Sequence, residues 1–136
     1  MPIQRAVPVL RVREVEKSIR WYAETIGFRA NPFPDKPPYD FAILFAGEVE
    51  IMLQCGDPIA EHPPKPYQWH VYLKVTGVDM LDIYGKLEAA GRTHRRLERT
   101  FYGMAEFEVV DPDGYVICIA QELGPGEGLD LPTPEF

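Results

Sequence analysis

The sequence predicts an α+β fold: two tandem βαβββ modules forming a curved mixed sheet, a half-open cup, with the helices outside. The first observation behind this is a repeat. Residues 9–28, VLRVREVEKSIRWYAETIGF, and 72–91, YLKVTGVDMLDIYGKLEAAG, each run from an apolar stretch holding a basic residue into helical spacing that stops at glycine. A displacement of 63 positions (73 − 10) places Leu10 on Leu73, Arg11 on Lys74, Val12 on Val75, Val15 on Val78 and Trp21 on Tyr84. Later in each copy a displacement of 66 (117 − 51) places Ile51 on Ile117 and Leu53 on Ile119, a drift that loop length explains. The second observation is the order of patterns, strand, helix and strands, met twice. One copy alone would leave a sheet face bare, so two copies are expected to pack together.

Each element follows from local spacing. Val7 to Val12 alternates and is rich in β-branched residues, which reads as a strand with one buried face. From Val15 the period changes: Val15, Ile19, Tyr22 and Ile26 fall on one helical stripe, and Gly27 supplies the left-handed stop. The stretch NPFPDKPPYD carries four prolines and reads as a loop. FAILF and VEIML are two strands joined through Ala46, Gly47 and Glu48. After the proline-rich bridge DPIAEHPPKP comes a strand in WHVYLKV, then a helical stripe of Met80, Ile83, Tyr84, Leu87 and Ala90 closed by Gly91. MAEFEVV and YVICIA form a last pair across Asp111, Pro112, Asp113 and Gly114, each suited to a turn. The whole chain, 1–136, reads as one domain: module 1 over about 6–56, a bridge over 57–67, module 2 over about 68–122, and a surface or disordered tail over 123–136.

Composition narrows the function classes. A length of 136 residues with 46% hydrophobic and 26% charged residues suffices for a core without disulfides, and Cys55 and Cys118 have no paired or metal-ligand spacing. No apolar run is long enough for a membrane span or a secretion signal, so a cytoplasmic location is expected. The net charge of -7 repels phosphate backbones, and the basic cluster Arg92, Arg95, Arg96 and Arg99 reads as a solvated surface strand. No phosphate-binding glycine loop occurs, and the sole serine, Ser18, sits on the first helix away from any triad.

Alternation assigns the faces. Leu10, Val12, Ile51, Leu53, Val71, Leu73, Val75, Phe107, Val109, Ile117 and Ile119 would face the helices, as would Trp69. Val7, Val9, Arg11, Glu50, Met52, Gln54, His70, Tyr72, Lys74, Glu106, Glu108, Cys118 and Ala120 would line the opposite, concave face. A concave face mixing polar and apolar groups is a candidate ligand pocket.

The helix opening VREVEKSIRWYAETIGF, the repeated strand and helix, and DPDGYVICIAQ resemble the vicinal oxygen chelate superfamily: glyoxalase I, bleomycin resistance and fosfomycin resistance proteins, and extradiol dioxygenases. The resemblance runs from about residue 6 to 122. It implies four metal-ligand positions, which fall here on Val7, Met52, His70 and Cys118. Of these only His70 is a usual ligand for the divalent ions concerned. The resemblance therefore points to the metal-free bleomycin resistance-like branch, with no metal and no cofactor, no assigned catalytic residue, and a small-molecule ligand held in a homodimer. That branch implies an aromatic, cationic ligand. The candidate contacts are His70, Tyr72, Arg11, Lys74, Glu50, Met52, Glu106, Glu108, Cys118 and Tyr102, with Asp40, Tyr39, Tyr67 and Phe101 nearby in the pattern. Two alternatives stand beside it: a metal-dependent lyase, isomerase or dioxygenase with an unusual ligand set, and a domain serving mainly a dimer or partner contact.

Overall fold

The computed structural model describes residues 1–134, and its elements run β1 (Val9–Val12), α1 (Val15–Thr25), β2 (Arg29–Phe33), β3 (Phe41–Ala46), β4 (Val49–Cys55), β5 (Val71–Lys74), α2 (Met80–Ala89), β6 (Thr93–Arg99), β7 (Met104–Val110) and β8 (Val116–Glu122). The strands hydrogen-bond as two four-stranded mixed sheets of matching order, β1-β4-β3-β2 and β5-β8-β7-β6. The repeat is exact in register. Val9 pairs with Met52 and Leu10 with Leu53 across the parallel β1–β4 ladder; Tyr72 pairs with Cys118 and Leu73 with Ile119 across β5–β8. These are the displacements of 63 and 66 read from the sequence. Among the described residues no helix is long and apolar enough to cross a membrane.

Chain contacts form two compact units, the first comprising residues 1–60 with 111–114. In it the helix-facing side of the sheet is closed: Leu10, Val12, Ala42, Leu44, Ile51 and Leu53 are buried beneath Val15, Tyr22 and Thr25 of α1. Each of the Leu, Val and Ile side chains among them contributes about 1.5–3 kcal/mol when removed from water. Helix α1 ends where Gly27, at φ +91°, turns its N–H back to the carbonyls of Tyr22 and Ala23. Residues 111–114 are tied to the same helix. The Tyr22 hydroxyl donates to Asp111 Oδ2 at 2.7 Å, and Asp113 accepts from the Arg13 backbone N–H at 3.1 Å and from the Ser18 hydroxyl at 3.4 Å. The opposite side of this sheet stays open, with Val9, Phe33, Phe41, Ile43, Phe45 and Met52 half-buried or exposed.

β2 corrects the sequence reading, which made the proline-rich stretch from Asn31 onward a loop. Asn31, Pro32 and Phe33 continue the strand, and Pro32 pairs with Ala42. An edge strand tolerates this because a missing N–H there breaks no second ladder.

The second unit comprises residues 61–110 and 115 onward. Asp79 caps α2 by accepting the Asp82 N–H at 3.1 Å. Of its predicted stripe only Met80 is fully buried; Tyr84 lies edge-on to Phe107 with centroids 5.4 Å apart, and its hydroxyl is pushed up to about 12, first by burial. Both faces of the central strands are sealed: Phe107, Val109, Ile117 and Ile119 on one, and Met104, Glu106, Glu108, Cys118 and Ala120 on the other. Three readings change here. Glu106, Glu108 and Cys118, expected to line an open concave face, are covered by other side chains of this unit. Arg95, placed on a solvated strand, is 6% exposed. Trp69, expected in the core, is 38% exposed because its indole N–H reaches Glu108 rather than the helix side. The tail is held rather than loose, since the Arg99 N–H donates to the Pro132 carbonyl at 2.8 Å. The last part of that tail, 135–136, lies outside the described residues.

Candidate functional site

The candidate site is the face of the second sheet turned away from α2. Its centre is Arg95. Register slips on both sides of this residue, between Thr93 and Arg95 and again between Arg95 and Glu98, and such bulges re-aim a side chain. The guanidinium turned inward by β6 meets three carboxylates. Its Nε donates to Glu108 Oε2, its Nη1 to Glu98 Oε2 at 2.8 Å and its Nη2 to Glu106 Oε1 at 3.1 Å. The plane lies over the Tyr67 ring, 4.1 Å from its centroid.

Each carboxylate is then completed by aromatic donors. Glu106 Oε2 accepts from the hydroxyls of both Tyr72 and Tyr102 at 2.6 Å. Glu108 accepts from the Tyr67 backbone N–H at 3.0 Å and the Trp69 indole at 2.9 Å, and His94 Nδ1 stands 3.2 Å away. Glu98 accepts the Tyr67 hydroxyl at 2.6 Å. Tyr67 can supply both its N–H and its ring because its backbone adopts φ 66°, a left-handed conformation that disfavours a non-glycine residue by about 1 kcal/mol or more.

Electrostatics follow from this packing. Burial alone would raise the Glu108 carboxyl, but the Arg95 guanidinium, the Tyr67 N–H and the Trp69 indole together hold it below the usual carboxylate range. Burial, with the neighbouring Glu106, pushes the Tyr72 and Tyr102 hydroxyls and the Cys118 thiol well above their ordinary values. All three stay protonated at neutral pH. Three carboxylates meet Arg95, and Glu98 also faces Arg96 Nε at 3.5 Å, so carboxylates outnumber guanidiniums by three to two behind the two tyrosines.

An open cavity of about 380 Å³ adjoins this network, lined by Tyr72, Lys74, Tyr102, Met104, Glu122 and Leu123. Of the residues the sequence singled out, it brings together Tyr72, Lys74 and Tyr102, with the Glu106 carboxylate bonded behind them. His70 lies elsewhere, in a 270 Å³ cleft with Glu61, Lys65, Gln68 and Trp69. Arg11, Glu50 and Met52 belong to the first unit, where Arg11 is exposed and Glu50 pairs with Arg5 at 3.5 Å. Arg95, Glu98 and Trp69 were missed as parts of this site. The signal available was THRRLER itself, which places Arg95, Leu97 and Arg99 on one face if the alternation is regular. The bulges break that alternation, and nothing in the residue types announces them.

The residues at the four metal-ligand positions that the sequence resemblance implies do not fit a divalent ion. His70 Nδ1 accepts the Val116 N–H at 2.9 Å, which leaves the proton on Nε2, and burial lowers its basicity with a smaller opposing effect from Glu61. Cys118 is sealed and protonated, with Arg95 Nη2 at 3.8 Å from its sulfur. Val7 offers no donor and Met52 only a thioether. Among the described residues no three His, Cys, Asp or Glu side chains are grouped to hold a metal.

Comparison with known proteins agrees with this architecture. The family described as the Glyoxalase/Bleomycin resistance protein/Dioxygenase superfamily matches residues 4–119. A lactoylglutathione lyase of Haemophilus influenzae is 28% identical over 134 residues, covering 89% of this chain and 94% of that protein. Among solved structures, a virulence protein of Salmonella typhimurium is 28% identical with a TM-score of 0.64, covering 90% of this chain and all of its own. The bleomycin-binding protein of Streptomyces verticillus, solved with copper(II)-bleomycin, shares the fold at 20% identity and a TM-score of 0.58, covering 91% of this chain and 98% of its own.

Proposed function

Because the chain belongs to the Glyoxalase/Bleomycin resistance protein/Dioxygenase superfamily, we propose that it is a metal-free small-molecule binding protein of that family. The observation that carries the reading is the donor set: one backbone-bonded histidine, a buried protonated thiol, a valine and a thioether stand where the family's metal ligands fall. The ligand enters the 380 Å³ cavity against the rings of Tyr72 and Tyr102, with Met104 and Leu123 as its apolar walls.

A cationic aromatic ligand suits this cavity. Both phenols donate to Glu106, so their oxygens offer only acceptors to whatever they meet, and the excess negative charge of the network lies behind them. Lys74 opposes this, but it is well exposed and faces Glu122 at 3.9 Å. The chain acts in the cytoplasm as a homodimer, and the open apolar face of its first sheet is the surface that a second copy covers.

Calorimetric titration with an aromatic amine and with an aromatic carboxylate of the same size tests the assignment. Tyr102→Ala should weaken amine binding about tenfold or more, the scale of one lost aromatic contact with its charge attraction. Equal binding of both probes, unaffected by the substitution, would refute the site.

A second reading has one observation in its favour, the 28% identity to a lactoylglutathione lyase. On that reading the chain is a metal-dependent lyase with an unusual ligand set. Metal bound stoichiometrically by the purified protein, with a lyase activity lost on chelation and restored by the metal, would establish it over the first.

A further inference from the structure

The arrangement around Arg95 has the parts of a ligand site rather than of an ordinary ion pair. Three carboxylates surround one guanidinium, each taking a different nitrogen, and an aromatic ring closes one face. Glu106 and Glu108 have 0% exposure, so these bonds form away from competing water. Every carboxylate is braced by at least one further donor, from Tyr67, Trp69, Tyr72 or Tyr102, which holds the acceptors in place independently of the arginine. The register shifts on both sides of residue 95 show a strand bent to deliver this one side chain.

We propose that this face is a preformed binding site for guanidinium-class cations and that the chain fills it in cis with Arg95. The proposal does not depend on the neighbouring cavity or on its ligand. The selectivity follows from shape. A planar cation with several N–H donors directed outward in its plane satisfies all three carboxylates at once, whereas a tetrahedral ammonium is a point charge without that fork. The site is therefore closed to outside ligands in the native chain and opens when the head group is removed.

Arg95→Ala tests this through chemical rescue. Its thermal midpoint should rise with methylguanidinium chloride, by about 4 °C when the cation reaches about ten times its Kd, while methylammonium chloride at equal concentration has a much smaller effect. The native protein should show neither response, because its site is occupied. No response of Arg95→Ala, equal responses to the two cations, or the same response in the native protein would each overturn the proposal. If Arg95→Ala is unfolded when purified, recovery of its circular dichroism with methylguanidinium sustains the proposal, and failure to recover overturns it. Arg95→Met supplies an independent reading: it keeps the length of the stem but leaves Glu106 and Glu108 without their guanidinium, Glu98 retaining only Arg96 at 3.5 Å, so a native midpoint for that variant contradicts the site.

Discussion

At the scale of single residues, Glu108 shows how burial and partners set a pH dependence. Its carboxyl lies lower in the folded chain than in the unfolded one, so the stability it contributes is present above the unfolded carboxylate value of about 4.3 and is lost as pH falls through the folded value. His70 is also lowered, here because burial disfavours the imidazolium, so its contribution is present above about 6.5 and declines as pH falls below that. Urea midpoints measured from pH 7 to pH 3 should show a shallow decline in the first window and a steep one below about 4.5. Glu108→Gln should be destabilised by about 3 kcal/mol at pH 7, as expected when one partner of a buried pair is removed, and should lose much of the steep acid limb. An unchanged acid limb would mean that Glu108 is not held ionised by Arg95.

At the scale of elements, the two sheets differ in what covers the face away from the helix. In the second sheet that face is closed by Arg95, Tyr67 and Trp69, but in the first it is open. Across it Val9, Met52 and Ile43 form one row, and Gln54, Phe41 and Phe33 another; Val9 is 46% and Phe33 49% exposed. Contiguous apolar surface of this kind marks a contact. Sedimentation at tens of micromolar should show a dimer, and Phe33→Glu should shift it toward monomer. A native chain that sediments as a monomer would remove the second copy from the account.

The same contrast explains what was legible in the sequence. The duplication, the helix stops at Gly27 and Gly91 and the 111–114 turn could be read because each depends on local spacing or on a residue with a backbone preference of its own. Alternation also placed Glu106, Glu108 and Cys118 on the correct side of their strands. Their sealing was illegible. It depends on bulges in β6 and on a left-handed Tyr67 that folds the bridge over the sheet, and neither feature leaves a periodic trace. Pro32 misled for the opposite reason: proline is a strong local signal against a strand, but edge position overrides it.

At the scale of the whole molecule, a duplicated fold presents poor metal ligands at the four positions that the sequence resemblance implies, Val7, Met52, His70 and Cys118, and a fixed guanidinium on one of its two sheets. The chain should accordingly bind its ligand and keep its structure without any metal. The measurement that bears on this most directly is a titration of chelator-treated protein with an aromatic amine, with metal content determined on the same sample and the thermal midpoint recorded before and after chelation. Divalent metal should be well under 0.1 equivalents, the midpoint unchanged by chelation, and binding not strengthened by added Zn²⁺, Ni²⁺ or Mn²⁺, since among the described residues no three His, Cys, Asp or Glu side chains are grouped to hold the ion. Near-stoichiometric metal whose removal lowers the midpoint and abolishes binding would contradict it.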